Sequence, residues 1–174
     1  MENSNIKIRP ETPEDMDVIR RVEEAAFGRP TEADLVDLCR ARGKSTLSLV
    51  AVDGDEVVGH VLFTPLTFDP PHPGWMGVGI GPIAVLPARQ RSGIGSRLMT
   101  MGLDLCRANG YDFAVLLGDP RYYCLFGFIP AREFGLTSDY GDGDEFQARE
   151  LRPGSLRGAK ARVKYVAEFT EVGC

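Results

Sequence analysis

The chain of 174 residues is long enough to bury one proper core and too short for two comfortable ones. Its 20 Lys and Arg stand against 25 Asp and Glu, a net charge of -5, which argues against nucleic acid as a partner because duplex binding needs a basic face. No stretch approaches the ~20 consecutive apolar residues of a membrane helix, and MENSNIKIRPETPED lacks the basic start and apolar run of a secretory signal.

IKIRP alternates like an edge strand and stops at Pro10. Thr12-Pro13-Glu14-Asp15 predicts a helix start: a Thr cap, Pro at the first helical position and an acidic residue three after the cap. Met16, Ile19, Val22, Ala26 and Phe27 follow as one apolar stripe, with Glu23 and Glu24 on a solvated face, and Gly28 and Pro30 end the helix. A second helix begins at Thr31, turns Leu35, Leu38 and Cys39 inward and closes at Gly43. The period then changes. Leu47 to Val52 and Val57 to Phe68 read as a hairpin around Asp53-Gly54-Asp55, and the loop from Asp69 to Gly74 cannot continue a ladder. Trp75 to Leu86 is extended, but its Gly77, Gly79, Gly81 and Pro82 mark a bulge or a close approach to the backbone.

A long helix follows from Gly93 to Ala108, with Leu98, Met101, Leu105 and Ala108 on one face and Asn109-Gly110 as its stop. Tyr111 to Leu117 is apolar throughout, as in a strand buried on both sides. Asp119-Pro120 caps a short helix, RYYCLF; Gly127-Phe128-Ile129-Pro130 begins another strand, and Phe146 to Leu151 and Arg162 to Phe169 supply two more. This order predicts one domain over residues 1–174, with its core over about 5–170, built as a mixed α/β sheet with helices on both faces. The helix between Leu86 and Tyr111 implies a parallel crossover.

The chemistry concentrates in IAVLPARQRSGIGSRLM, Ile83 to Met99. A strand ends, a polar turn follows and glycine-rich sequence opens a helix, where backbone N–H groups lack partners and the dipole favours negative charge. Gly93 and Gly95 remove side chains that would block those groups, and Arg89 and Arg91 add positive charge. Together they form an anion cradle suited to a pyrophosphate. A Rossmann turn would need a third glycine where Leu98 stands, and no Gly-Lys-Ser/Thr of a P-loop occurs. Four scattered cysteines (Cys39, Cys106, Cys124, Cys174), no CxxC and only two histidines make a metal site unexpected; the thiols suit a reducing cytoplasm and read as small core hydrophobes or bystanders, not nucleophiles.

Ile83 to Leu98, with Gln90-x-x-Gly93-x-Gly95 at its centre, resembles motif A of the GCN5-related N-acetyltransferases (GNAT). Tyr123-Cys-Leu-Phe-Gly127-Phe128 resembles the end of their motif B, and LGDPRYYCLFGFIPA with VVGHVLF is similar to the YhbS-like subgroup of bacterial acetyltransferases. The resemblance implies a mostly antiparallel central sheet with a parallel, splayed pair around the cofactor. It implies an acyl-CoA-dependent N-acetyltransferase that uses acetyl-CoA as cosubstrate, without a metal, and acts on a primary amine of a small molecule or, second, a peptide. The alternative is a CoA-binding sensor or interaction module without turnover. The backbone of Ile83, Ala84 and Val85 would take the pantetheine arm, and Gln90, Arg91, Ser92, Gly93, Ile94, Gly95 and Ser96 the pyrophosphate. Tyr123 would be the general acid, although Leu117-x-x-Pro120 departs from the family's Asn-x-x-Ala before that Tyr, and Tyr122 could exchange places with it. No membrane or nucleic-acid partner is expected, and a β-rich tail able to pair between chains leaves a homodimer open. His60 reads first as a structural residue and second as part of the acceptor site; His72 reads as exposed, Asp119 as a helix cap. No general base is identifiable.

Overall fold

Alternation and turn chemistry decide the N-terminal elements. In the computed structural model, which describes residues 5–174, IKIRP forms β1 (Ile6–Pro10). The Asp15 carboxylate then accepts the Thr12 N–H at 2.7 Å and the Thr12 hydroxyl at 3.2 Å, closing a 3-10 turn (Pro13–Asp15) that leads into α1 (Met16–Phe27). A bidentate Arg9 holds that carboxylate at 2.6 and 3.0 Å and takes its pKa down to about 2. Gly28, at φ 69°, ends α1 in the left-handed region that favours glycine. There follow α2 (Thr31–Ala41), β2 (Leu47–Asp53), β3 (Glu56–Pro65), β4 (Thr67–Asp69), β5 (Gly77–Val85), α3 (Ile94–Ala108) and β6 (Phe113–Leu117). After them come α4 (Pro120–Tyr123), β7 (Ile129–Pro130), β8 (Leu136–Ser138), β9 (Phe146–Glu150), β10 (Ala161–Lys164) and α5 (Glu168–Val172).

Two differences from the expected order lie in the tail. β8 had no period long enough to be seen in three residues, and the last strand stops at Lys164, where Glu168–Val172 forms α5 instead. Glu168 and Glu171, three apart, both reach Arg42 at the end of α2, at 3.3 and 2.7 Å. Only a helix puts residues at that spacing on one side.

The described residues through Phe63, with Pro82–Gly102 and Ala167–Cys174, make one compact unit; Thr64–Gly81 with Leu103–Val166 makes a second. In the first unit, β1 pairs antiparallel with β2 and β2 with β3. The end of β5 lies beside β3, where the Leu86 N–H donates to the Val58 carbonyl at 3.0 Å. Consecutive residues of β3 show which helix covers which face, since neighbours in a strand point to opposite sides. A Cβ on Gly59 would meet Ile94 and Leu98 of α3 at 3.1 Å, whereas His60 points to Glu23 of α1. The helices therefore cover both faces, as expected.

In the second unit, β5 pairs parallel with β6 over Gly77–Ile80 and Phe113–Leu116, β6 pairs antiparallel with β9, and β9 with β7. A three-stranded sheet of β4, β10 and β8 joins the core formed by Phe113, Val115, Leu136, Phe146, Ala148, Leu156 and Val163. The parallel pairing stops before Gly81, whose φ of 143° no L side chain adopts readily. The glycines of β5 make room for aromatic rings: a Cβ on Gly77 would meet the Phe113 ring at 2.7 Å, and one on Gly79 the Tyr165 ring at 2.8 Å.

The buried stripe of α3 is rotated from the expected one. Ile94, Leu98, Met99, Leu103 and Cys106 are buried, while Met101 is 41% exposed. Gly102 causes the rotation, since the ring of Phe63 in β3 occupies the place of its missing side chain. Gly102→Ala would gain about 1 kcal/mol from helix propensity alone. Overlap with that ring is expected to reverse the sign and cost roughly 1–3 kcal/mol. Urea unfolding of the variant decides it; a more stable Gly102→Ala would show that α3 is not seated on Phe63.

Candidate functional site

The strand-to-helix turn that the sequence singles out is built in layers. Pro87–Arg89 is a 3-10 turn after β5, and Gln90 to Gly93 are exposed. Arg91 stands at φ 59° and Gly93 at φ 83°. A left-handed conformation costs an L residue energy and persists only where its surroundings impose it. At Arg91 those surroundings are visible. The Gln90 side-chain amide donates to the Val85 carbonyl at 3.1 Å, and the Ser92 hydroxyl donates to the Arg89 carbonyl at 2.5 Å.

The Arg97 N–H donates to the Gly93 carbonyl at 3.0 Å, so Gly93 is the last residue outside the helix. The N–H groups of Ile94 and Gly95 therefore begin α3 without a helical acceptor. Where a Cβ would stand on Gly93 there is open space within 4 Å. Ile94 itself is buried, against β3 where a side chain on Gly59 would stand. An exposed turn before the helix, open space at Gly93 and left-handed backbone at Arg91 and Gly93 fit a diphosphate. Ala84 is likewise buried, Ile83 and Val85 are half-buried, and the Val85 carbonyl accepts the Gln90 side-chain amide.

Arg89 departs from expectation. Its guanidinium pairs with the carboxylate of Asp53 at the end of β2, so its charge is neutralised at the hairpin instead of standing beside the amides. Read from the chain alone, Asp53 is only a turn residue.

Tyr123 belongs to the second unit. Asp119 caps α4 by accepting the Arg121 N–H at 2.9 Å with Pro120 at the first position, so Leu117-x-x-Pro120 enters a helix through a cap of its own. Asp119 also pairs with the Arg121 side chain, which lowers its pKa. The Tyr123 ring lies where a side chain on Gly118 would stand, and it packs edge-on to Tyr122 at 4.9 Å and Phe128 at 6.3 Å. Burial, with a smaller contribution from Tyr122, pushes its hydroxyl up to about 12. His72 stacks on Trp75 at 3.9 Å.

His60 is the structural residue of the two readings, and Glu23 is not on a solvated face: both are fully buried, with Glu23 Oε1 2.6 Å from His60 Nδ1. His60 Nε2 lies 2.8 Å from Ser48 Oγ. Serine, histidine and glutamate thus stand at the spacing of a hydrolytic triad, but the protons run the wrong way. Ser48 donates its single proton to Glu11 at 2.5 Å. Burial raises the Glu11 pKa, but bonds from Arg40 at 2.8 and 3.0 Å and from Ser48 outweigh it and hold the carboxyl below its usual value. Nε2 must therefore carry a proton and donate to Ser48, which leaves no base to activate the hydroxyl. One proton lies between Nδ1 and Glu23, whose carboxyl is raised by burial against the pull of His60. Glu23 Oε2 has no hydrogen-bond partner among the described residues.

Of the thiols, Cys39 and Cys106 are buried and pushed up to about 11 and about 12, as core hydrophobes should be. Among the described residues no group of three or more His, Cys, Asp or Glu is placed to hold a metal, and no helix is long and apolar enough to cross a membrane.

Comparison with known proteins identifies relatives of this chain. A family model described as an acetyltransferase (GNAT) domain matches residues 7–131. The uncharacterized N-acetyltransferase YhbS of Escherichia coli (strain K12) is 35% identical over 164 residues, 93% of this chain and 97% of that protein. The crystal structure of E. coli YhbS in complex with CoA superposes with a TM-score of 0.90 at 32% identity, covering 98% of this chain and 94% of that one. A GNAT family acetyltransferase from Brucella melitensis in complex with acetyl-CoA gives a TM-score of 0.79 at 37% identity, covering 96% and 99%.

Because His60 is the partner of a buried carboxyl, His60→Leu is expected to cost about 2–4 kcal/mol in chemical unfolding. Affinity for CoA in the folded protein should stay within about twofold. A variant as stable as the parent would show that the Glu23–His60 pair does not hold α1 to the sheet.

Proposed function

The chain belongs to the GNAT N-acetyltransferases, a family of enzymes, and from that premise we propose that it moves the acetyl group of acetyl-CoA to a primary amine of a small molecule by direct attack, both substrates being bound together. The observation that carries the reading is the turn into α3: exposed, left-handed at Arg91, and open at Gly93. The CoA and acetyl-CoA complexes of the YhbS and Brucella proteins support acetyl-CoA as the cosubstrate. The family match, running from Lys7 to Ala131 through both compact units, supports one catalytic domain over the chain.

Bound acetyl-CoA supplies an activated acetyl group as a thioester. In our reading the backbone of Ile83, Ala84 and Val85 holds the pantetheine arm, and the turn from Gln90 through Arg91, Ser92, Gly93, Ile94, Gly95 and Ser96 holds the pyrophosphate through its amides. A free alkylamine has a reference pKa of about 10.4 and must lose a proton before it can attack. The Val85 N–H is the proposed donor to the carbonyl oxygen as negative charge develops there.

Tyr123 is the proposed acid. Burial keeps its hydroxyl protonated across the neutral range, which an acid requires. A thiolate of reference pKa about 8.5 holds a proton less firmly than that hydroxyl does. Tyr123 therefore first donates a hydrogen bond to the departing sulfur; as the C–N bond forms and the C–S bond breaks, its proton passes to the thiolate and the proton shed by the attached nitrogen restores the tyrosine hydroxyl.

Two variants test these roles. Gly93→Glu places a side chain and a negative charge in the open space beside the amides; the Kd for acetyl-CoA is expected to rise about a hundredfold or more by calorimetry. Unchanged affinity would remove the turn from the site. Tyr123→Phe is expected to lower kcat about 10²-fold while leaving the acetyl-CoA Kd within about twofold. The assay follows CoA thiol release with the best amine of a panel. Parental kcat in that variant would exclude Tyr123, and tight cofactor binding with no turnover on any amine would replace the enzyme by a CoA-binding module.

A further inference from the structure

The turn proposed to grip the pyrophosphate needs a reason to keep its shape when empty, and part of that reason comes from outside the motif. Asp53 closes β2, immediately before the turn at Gly54 (φ 61°) that leads into β3. Its carboxylate pairs with the guanidinium of Arg89, and both side chains are about two-thirds covered, 29% and 31% exposed. Arg89 is in turn bound along its backbone. Its N–H donates to the Leu86 carbonyl at 2.8 Å, and its carbonyl accepts the Ser92 hydroxyl. A pull on the Arg89 side chain is thus passed to Ser92, across the left-handed Arg91, and so to the start of α3.

We infer that Asp53 is a positioning residue for the cofactor turn: by holding Arg89 it fixes the turn in its binding shape and lowers what must be ordered when acetyl-CoA arrives. This rests on the reading of the turn as the pyrophosphate site. Preorganisation of this kind raises affinity without touching the ligand. Electrostatics alone would give the opposite result. Asp53 cancels the charge of Arg89, and removing it would release a cation near a diphosphate and strengthen binding at low salt. The sign of the effect therefore separates positioning from charge.

The experiment is calorimetric titration of CoA into the full chain and its variants, with thermal unfolding as a check on each. Asp53→Asn keeps the shape and removes the ion pair. Its Kd for CoA is expected to rise about tenfold, and its KM for acetyl-CoA with it, while kcat at saturation stays within about twofold. Asp53→Glu should recover most of the loss. The charge exchange Asp53→Arg with Arg89→Asp should bind more tightly than Asp53→Arg alone, and it serves if Asp53→Asn does not fold. A folded Asp53→Asn that binds CoA as the parent does, or more tightly, overturns the inference, as does a fall in kcat with unchanged Kd. If Gly93→Glu still weakens binding in that case, the reading of the turn survives and only the role of Asp53 falls. A parent chain that binds no CoA overturns both.

Discussion

The close seating of α3 on β3 is the constraint from which the rest of the site follows. Gly59 in the strand makes room for Ile94 and Leu98 of the helix, and Gly102 in the helix makes room for the Phe63 ring of the strand. A helix lying that close to a strand has little freedom to slide or roll, because packed interiors do not deform continuously. The direction of its first-turn N–H groups is then fixed by the fold. Binding of an anion at a helix start depends on that direction more than on any one side chain, which is why the exposed turn contributes backbone while Ile94 and Leu98 point inward.

The opposite face of the same strand solves a different problem. Val50 and His60 stand across from each other in β2 and β3, and α1 brings a carboxyl down onto the imidazole. A run of short contacts then leads from buried Glu23 through His60 and Ser48 to Glu11 and Arg40. Ser48 donates to Glu11 and Arg40 holds the same carboxylate, so the protons at this end of the path are ordered. Residues that could be mistaken for a nucleophile and base serve to fix α1, because the single hydroxyl proton of Ser48 is already committed.

The elements whose chemistry is local were legible from the chain. The capping box at Thr12, the glycine stop at Gly28, the hairpin around Gly54 and the strand-to-helix turn at Gln90 to Gly95 each announce themselves within six residues. What depends on distant partners was not. The α3 stripe is set by Phe63, nearly forty positions upstream, and α5 by Arg42, more than a hundred positions away. Glu23 stood beside the half-buried Glu24 in the sequence and gave no sign of the imidazole that buries it. Asp53 looked like any turn aspartate because its partner, Arg89, lies 36 residues on. The motif that marks the candidate site was therefore readable as a pattern, while contacts such as that of Asp53 with Arg89 were visible only in the fold.

The most direct test of the central claim is a titration of isotope-labelled protein with CoA, followed by NMR of the backbone amides. The shifts should be largest and saturable at Ser92, Gly93, Ile94 and Gly95, and small at the buried amides of β2. If CoA binds while those four amides stay unmoved, the start of α3 does not hold the diphosphate and the proposed site is in the wrong place.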